Sequence, residues 1–215
     1  KEAMRLVIKT FKEQQRLDGS GPYSFQRTTA WATDGVPMAG YGYPAKKVGL
    51  IHSMFRPSDD ATIFPFLIPG NLFALISLEQ LKKIVSEINP GDRLIEEAHD
   101  LYNIISPAIQ KHALVGHRQF GKVFAYEVNG SGSYNLMDDA NVPSLLSLPY
   151  LNPAIGKDPV YQNTRRFVLS AENPFFFKGK AGEGTGGPHV GMDYIWPMSI
   201  IMRGLTSSDD KEIKY

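Results

Sequence analysis

Apolar side chains recur three and four residues apart along much of this 215-residue chain, the spacing that lines one face of an α-helix. Residues 1–15 place Ala3, Met4, Val7, Ile8 and Phe11 on one stripe. Residues 71–88 carry Leu72, Leu75, Ile76, Leu81, Ile84 and Ile88 after Pro69-Gly70, and residues 92–112 carry Ile95, Ala98, Leu101, Ile105 and Ile109 after Pro90-Gly91. Two long helices on a short Pro-Gly hinge are expected to form an antiparallel pair. Residues 159–169, with a proline in the first turn, and the apolar-rich residues 194–205 are further helices, and residues 142–148 a shorter one. Strand patterning is slight. Its best instance is Lys122-Val123-Phe124-Ala125-Tyr126-Glu127-Val128, followed by Asn129-Gly130-Ser131-Gly132 and Tyr134, which predicts a small hairpin decorating a helical body.

Between the helices run long segments, residues 19–63 and 173–193, that mix Gly and Pro with Tyr, Phe, Trp, Arg, Asp and His. Aromatic content of this kind argues against disorder, and loops of such length in a compact domain usually carry function. The pattern therefore predicts an all-α domain with one crowded, loop-rich face.

Composition narrows the functions open to it. With 23 Lys and Arg against 22 Asp and Glu, no broad positive field exists to gather nucleic acid or anionic lipid. No apolar run approaches the roughly 20 residues of a membrane-spanning helix. Cysteine is absent, which removes disulfides, thiolate metal sites and cysteine nucleophiles while leaving the compartment open. Both ends read as internal to a larger domain: the first helix starts without a preceding cap, and Ser207-Ser208-Asp209-Asp210 caps a helix with barely one turn left to run.

Three stretches hold candidate chemistry. In Phe55-Arg56-Pro57-Ser58-Asp59-Asp60-Ala61-Thr62, two adjacent carboxyls beside an arginine, with apolar Phe64, Pro65 and Phe66 after them, are the ingredients for holding one carboxyl protonated and the other ionised. A proton donor to a leaving oxygen fits there; so does a turn in which Asp59 or Asp60 merely caps backbone amides. Tyr134-Asn135-Leu136-Met137-Asp138-Asp139-Ala140-Asn141 brings a second acidic pair that can bind hydroxyls or cap a helix. In Gly182-Glu183-Gly184-Thr185-Gly186-Gly187-Pro188-His189, the glycines permit close backbone approach to a ligand, and Tyr194 and Trp196 downstream offer flat faces for a sugar ring or for core packing. Arg27 in Gln26-Arg27-Thr28-Thr29 is a lesser candidate. The histidines show no metal-binding spacing, and the Asp pairs lack that of a known calcium loop.

The first two of those stretches, together with Phe66-Leu67-Ile68-Pro69, Gly121-Lys122-Val123-Phe124-Ala125-Tyr126-Glu127, Asn141-Val142-Pro143-Ser144-Leu145-Leu146-Ser147-Leu148-Pro149-Tyr150-Leu151, Tyr161-Gln162-Asn163-Thr164-Arg165-Arg166-Phe167 and Tyr194-Ile195-Trp196-Pro197, resemble glycoside hydrolase family 125 over nearly the whole chain, from which Gly70 and residues 182–190 depart. The resemblance implies an (α/α)6 barrel, incomplete in this chain, that removes terminal α-1,6-linked mannose with inversion and without metal or other cofactor. It implies a general acid in the Asp59–Asp60 pair, with Asp59 favoured, and a general base, a Glu, beyond Tyr215, so that the chain alone would be inactive. Arg27, Arg56, Ser58, Asp138, Asp139, Asn141 and His189 would hold sugar hydroxyls or tune the acid, with Tyr194 or Trp196 as a wall. An α-mannoside glycan is the implied partner. A non-catalytic carbohydrate-binding protein and a metal-dependent hydrolase using the Asp pairs are the competing readings of the same residues.

Overall fold

The computed structural model describes residues 1–214. Its helices are α1 (Glu2–Gln14), the single turn α2 (Pro37–Gly40), α3 (Ile68–Ile88), α4 (Leu94–His112), α5 (Leu148–Leu151), α6 (Pro159–Val168), α7 (Pro197–Leu205) and the terminal turn α8 (Asp210–Ile213). Short antiparallel strands join their ends: β1 (Phe66–Leu67) and β5 (Tyr134–Asn135) flank β4 (Glu127–Val128), β2 (Leu114–His117) pairs with β3 (Gly121–Phe124), and β6 (Phe176–Lys178) pairs with β7 (Glu183–Thr185). The body is thus mainly helical with a few small sheets.

The core forms where the apolar stripes meet. Leu78, Leu81 and Val85 of α3 are buried with Leu94, Leu101, Ile105 and Ile109 of α4, and Ile8 of α1 joins the same cluster. Each such side chain contributes about 1.5–3 kcal/mol by leaving water. Asp92 Oδ1 accepts from Leu94 N at 3.1 Å and so starts α4. On α3 the buried Asn71 donates to Ile51 O at 3.0 Å and Leu67 O at 2.9 Å, and accepts from Ile51 N at 2.8 Å, which ties the incoming loop to the helix.

Several boundaries differ from the periodic pattern, each for a backbone reason. Helix α3 starts at Ile68, three residues earlier than the apolar run predicts, because Pro69 suits a first turn. Helix α7 starts at Pro197 rather than 194, since Trp196 N donates to Thr185 O at 3.2 Å and keeps the chain extended. The predicted helix over 142–148 is instead α5 at Leu148–Leu151. Asp138 has taken the amides of Leu145 and Leu146, and the preceding residues fold around it. The strand expected over 122–128 is split. Residues up to Phe124 pair back with β2, which periodicity did not reveal, whereas Glu127 and Val128 form the expected hairpin with β5.

Candidate active site

The Phe55–Ala61 bridge closes a tight hairpin whose tip is the first acidic motif. Asp59 N donates to Arg56 O at 3.1 Å and Arg56 N donates to Asp60 O at 2.8 Å, with Pro57 in the second position of the turn, where its fixed φ is favoured. Asp59 closes that turn with φ at +70°, the left-handed region that Asp tolerates better than most residues. Its side chain is exposed, and Asp60 beside it is buried. Among the described residues, no backbone amide donates to either carboxyl; Asp60 is bonded to Ser58 and faces His189.

Asp60 leads inward. Its Oδ2 lies 3.0 Å from Ser58 Oγ, and the same oxygen of Ser58 lies 2.7 Å from Asp139 Oδ2. A hydroxyl has one proton, so Ser58 donates to only one of these carboxyls at a time. Asp139 Oδ1 accepts from Asn141 N at 3.2 Å and Asn141 Nδ2 at 3.1 Å. The other oxygen of Asp60, buried and without a hydrogen bond, faces His189 Nδ1 at 3.6 Å. The His189 ring lies 6.2 Å from that of Trp196. Ser58, Asp60, Asp139, Asn141, His189 and Trp196 therefore form one continuous patch that ends at exposed Asp59; Tyr194, two residues before Trp196 in the chain, is 66% exposed.

Other expected residues lie elsewhere or do other work. Asp138 accepts from Leu145 N at 2.8 Å and Leu146 N at 3.0 Å, so its carboxyl serves the backbone and not a sugar hydroxyl. Burial pushes it up to about 8 against those two amides. Arg27 pairs with Asp34 at 2.6 Å on the neighbouring loop, which runs beside the hairpin through Ala61 N donating to Thr33 O at 2.7 Å. Two glycines of residues 182–190 have a packing role. A Cβ on Gly186 would lie 2.0 Å from Tyr194 O, which leaves no room for a side chain, and one on Gly187 would lie 3.1 Å from Asp139 Oδ1, which would have to shift.

Glu127 was not among the expected residues, and the structure puts it under the hairpin. Fully buried on β4, it accepts from Arg56 Nε at 2.6 Å with one oxygen; the other accepts from Ile63 N at 3.2 Å and Phe64 N at 3.3 Å and lies 3.5 Å from Asn135 Nδ2. Burial would lower the Arg56 guanidinium, but the Glu127 bond raises it on balance. Arg56 is accordingly a structural cation, 4% exposed, and not a solvent-facing ligand for hydroxyls. A charged pair of Arg and Glu on two different elements leaves no signal in local periodicity, which is why the sequence pattern passes over it.

Among the described residues no group of three or more His, Asp or Glu is placed to hold a metal ion, and no helix is long and apolar enough to cross a membrane. Two hollows of about 560 and 530 Å³, lined respectively by Lys12–Gly21 neighbours and by Arg165, Arg203 and Glu212, contain none of the patch residues.

A family model described as metal-independent alpha-mannosidase (GH125) matches residues 1–215. The chain is 46% identical over 206 residues to the meiotically up-regulated gene 157 protein of Schizosaccharomyces pombe, covering 95% of this chain and 40% of that protein. It superimposes with a TM-score of 0.94 at 37% identity on a structure from Streptococcus pneumoniae, from work on metal-independent alpha mannosidases, in a non-productive substrate complex with alpha-1,6-mannobiose; 99% of this chain and 50% of that one are covered. The chain thus spans half or less of the length of the relatives it matches.

Proposed function

This chain belongs to the metal-independent α-mannosidases of glycoside hydrolase family 125, and from that membership we propose that it carries the acid side of an exo-acting site that removes terminal α-1,6-linked mannose with inversion. The observation that carries the reading is the patch itself. An accessible carboxyl, Asp59, stands at the tip of a turn whose base is bonded into a buried chain of Asp60, Ser58 and Asp139, with His189, Trp196 and Tyr194 at its edge. The mannobiose held by the pneumococcal relative supports the linkage.

In this mechanism Asp59 gives its proton to the departing glycosidic oxygen as the bond to the anomeric carbon breaks. A water, deprotonated by a carboxylate on the opposite face of the ring, attacks that carbon; room for it requires the two carboxyls to stand about 6.5–9.5 Å apart. The base is the Glu that the family likeness implies outside this segment, in the rest of an (α/α)6 barrel. Trp196 or Tyr194 forms a flat wall for the sugar ring, and Asn141 and His189 offer polar atoms beside it. No step uses a metal or cofactor.

The test is release of mannose from α-1,6-mannobiose by a full-length protein containing this segment. Asp59→Asn should lower kcat by about 10²–10⁴-fold, the span of general acid catalysis, and Asp60→Asn by less. Loss confined to Asp60→Asn would move the proton donor one residue, and full activity in both variants would exclude the acid assignment. Binding of mannose without turnover in the unaltered protein would favour a carbohydrate-binding role. Product released first as the β-anomer, at a rate unchanged by a strong chelator, is the outcome expected of metal-free inversion.

A further inference from the structure

We propose that Glu127 is a positioning residue for the proton-donating turn, a role that rests on the acid reading above and extends it to a residue outside the patch. The geometry is that of a clamp. One carboxylate oxygen holds Arg56 Nε at 2.6 Å, at the first residue of the turn, and the other receives the amides of Ile63 and Phe64, on the segment that leads from the hairpin to β1. Both ends of the hairpin are thereby bonded to a single side chain from β4, whose backbone pairs with β1 and β5. The ion pair is sealed, with side-chain exposures of 2% and 0%.

A surface pair would add little, whereas removing one partner of a buried pair leaves an uncompensated charge. The surroundings are polar but incompletely satisfied: Arg56 Nη2 and the Tyr126 hydroxyl are buried without hydrogen bonds, and the Arg56 guanidinium stands 5.5 Å from the Tyr126 ring. The Arg56 guanidinium is thus held chiefly by Glu127, while its backbone is bonded within the turn. A left-handed residue such as Asp59 holds its conformation only where its surroundings impose it, and Glu127 supplies that constraint from below. Displacing the turn by about 1 Å is enough to cost orders of magnitude in a proton transfer that needs near-ideal geometry.

The experiment uses a full-length protein containing this segment and two substrates. α-1,6-Mannobiose has a poor leaving group and needs the acid; 2,4-dinitrophenyl α-mannoside leaves without protonation. Glu127→Gln, which keeps the shape and removes the charge, should lower kcat on mannobiose about 10–100-fold with KM little changed, while activity on the aryl mannoside falls less than about 3-fold. Equal losses on both substrates would reduce Glu127 to a structural residue and overturn the proposal. Should Glu127→Gln fail to fold, Arg56→Lys, which keeps the charge and loses the Nε bond, is measured in the same way. Full mannobiose activity in Asp59→Asn and Asp60→Asn would instead sink the acid reading; their inactivity together with substrate-independent loss in Glu127→Gln would sink the clamp alone.

Discussion

Asp59 shows how one residue carries both a cost and a use. A non-glycine residue at φ +70° is held there at a cost of about 1–2 kcal/mol, and here the strained position is the one that leaves its carboxyl exposed while Asp60 turns inward. Gly186 makes the opposite case, a position with no room for a side chain. Its absent Cβ would fall 2.0 Å from a backbone oxygen of Tyr194, so Gly186→Ala must push the backbone at Tyr194 away. We expect a loss of about 1–3 kcal/mol in stability, read from thermal unfolding, together with a raised KM for mannobiose in a full-length protein. An unchanged melting temperature would show that the loop yields freely. At this scale the acidic motifs were legible as chemistry, but which member of each pair did what was not. Asp138 and Asp139 are neighbours in the chain, yet one serves two backbone amides and the other joins the patch.

The elements that present the site are short and are bonded to one another by charge as much as by apolar contact. Helix α8 is one turn, too short to persist alone, and Glu212 fastens it: Arg165 of α6 donates at 2.8 Å, Arg203 of α7 at 2.7 Å, and Ser207 donates as well. Burial alone would raise the Glu212 carboxyl, but Ser207, Arg203 and Arg165 hold it at about 2, below its ordinary 4.5. A carboxylate depressed in the fold adds stability above its unfolded value and loses it as pH falls through the folded one. The clasp should therefore weaken between about pH 4.5 and 2. Glu212→Gln should unfold at lower temperature at pH 7, and the gap to the unaltered chain should narrow at pH 2–3; a gap of constant size would place the stabilisation elsewhere. Long helices α3 and α4 were readable from their stripes, because burial of one face imposes a period of 3.6. Strand β2 and the split in the 122–128 strand were not, because strands of two to four residues leave too few positions for alternation to register.

For the molecule as a whole, apolar side chains stand exposed together on and beside α7. Ile201 and Leu205 are each 58% exposed, and Met192 and Tyr194 lie nearby in the chain at 62% and 66%. This segment on its own is expected to self-associate through that face, so Ile201→Lys with Leu205→Lys should shift its light-scattering mass toward the monomer; a monomeric unaltered segment would contradict the expectation. The sequence by itself determined the mainly helical class, the acidic motifs and the family likeness, because helix periodicity and motif spacing are local properties of the chain. Only the tertiary structure decided that Ser58 links Asp60 to Asp139, that Asp138 is committed to the backbone, and that Glu127 lies beneath the acid turn. The Ser58–Asp139 and Arg56–Glu127 contacts join residues 81 and 71 positions apart, and a hydrogen bond over that separation depends on how the helices pack, which no neighbouring residue records. Asp138 reaches only 7 and 8 residues along the chain, but which of the two adjacent carboxyls does so is set by the same packing.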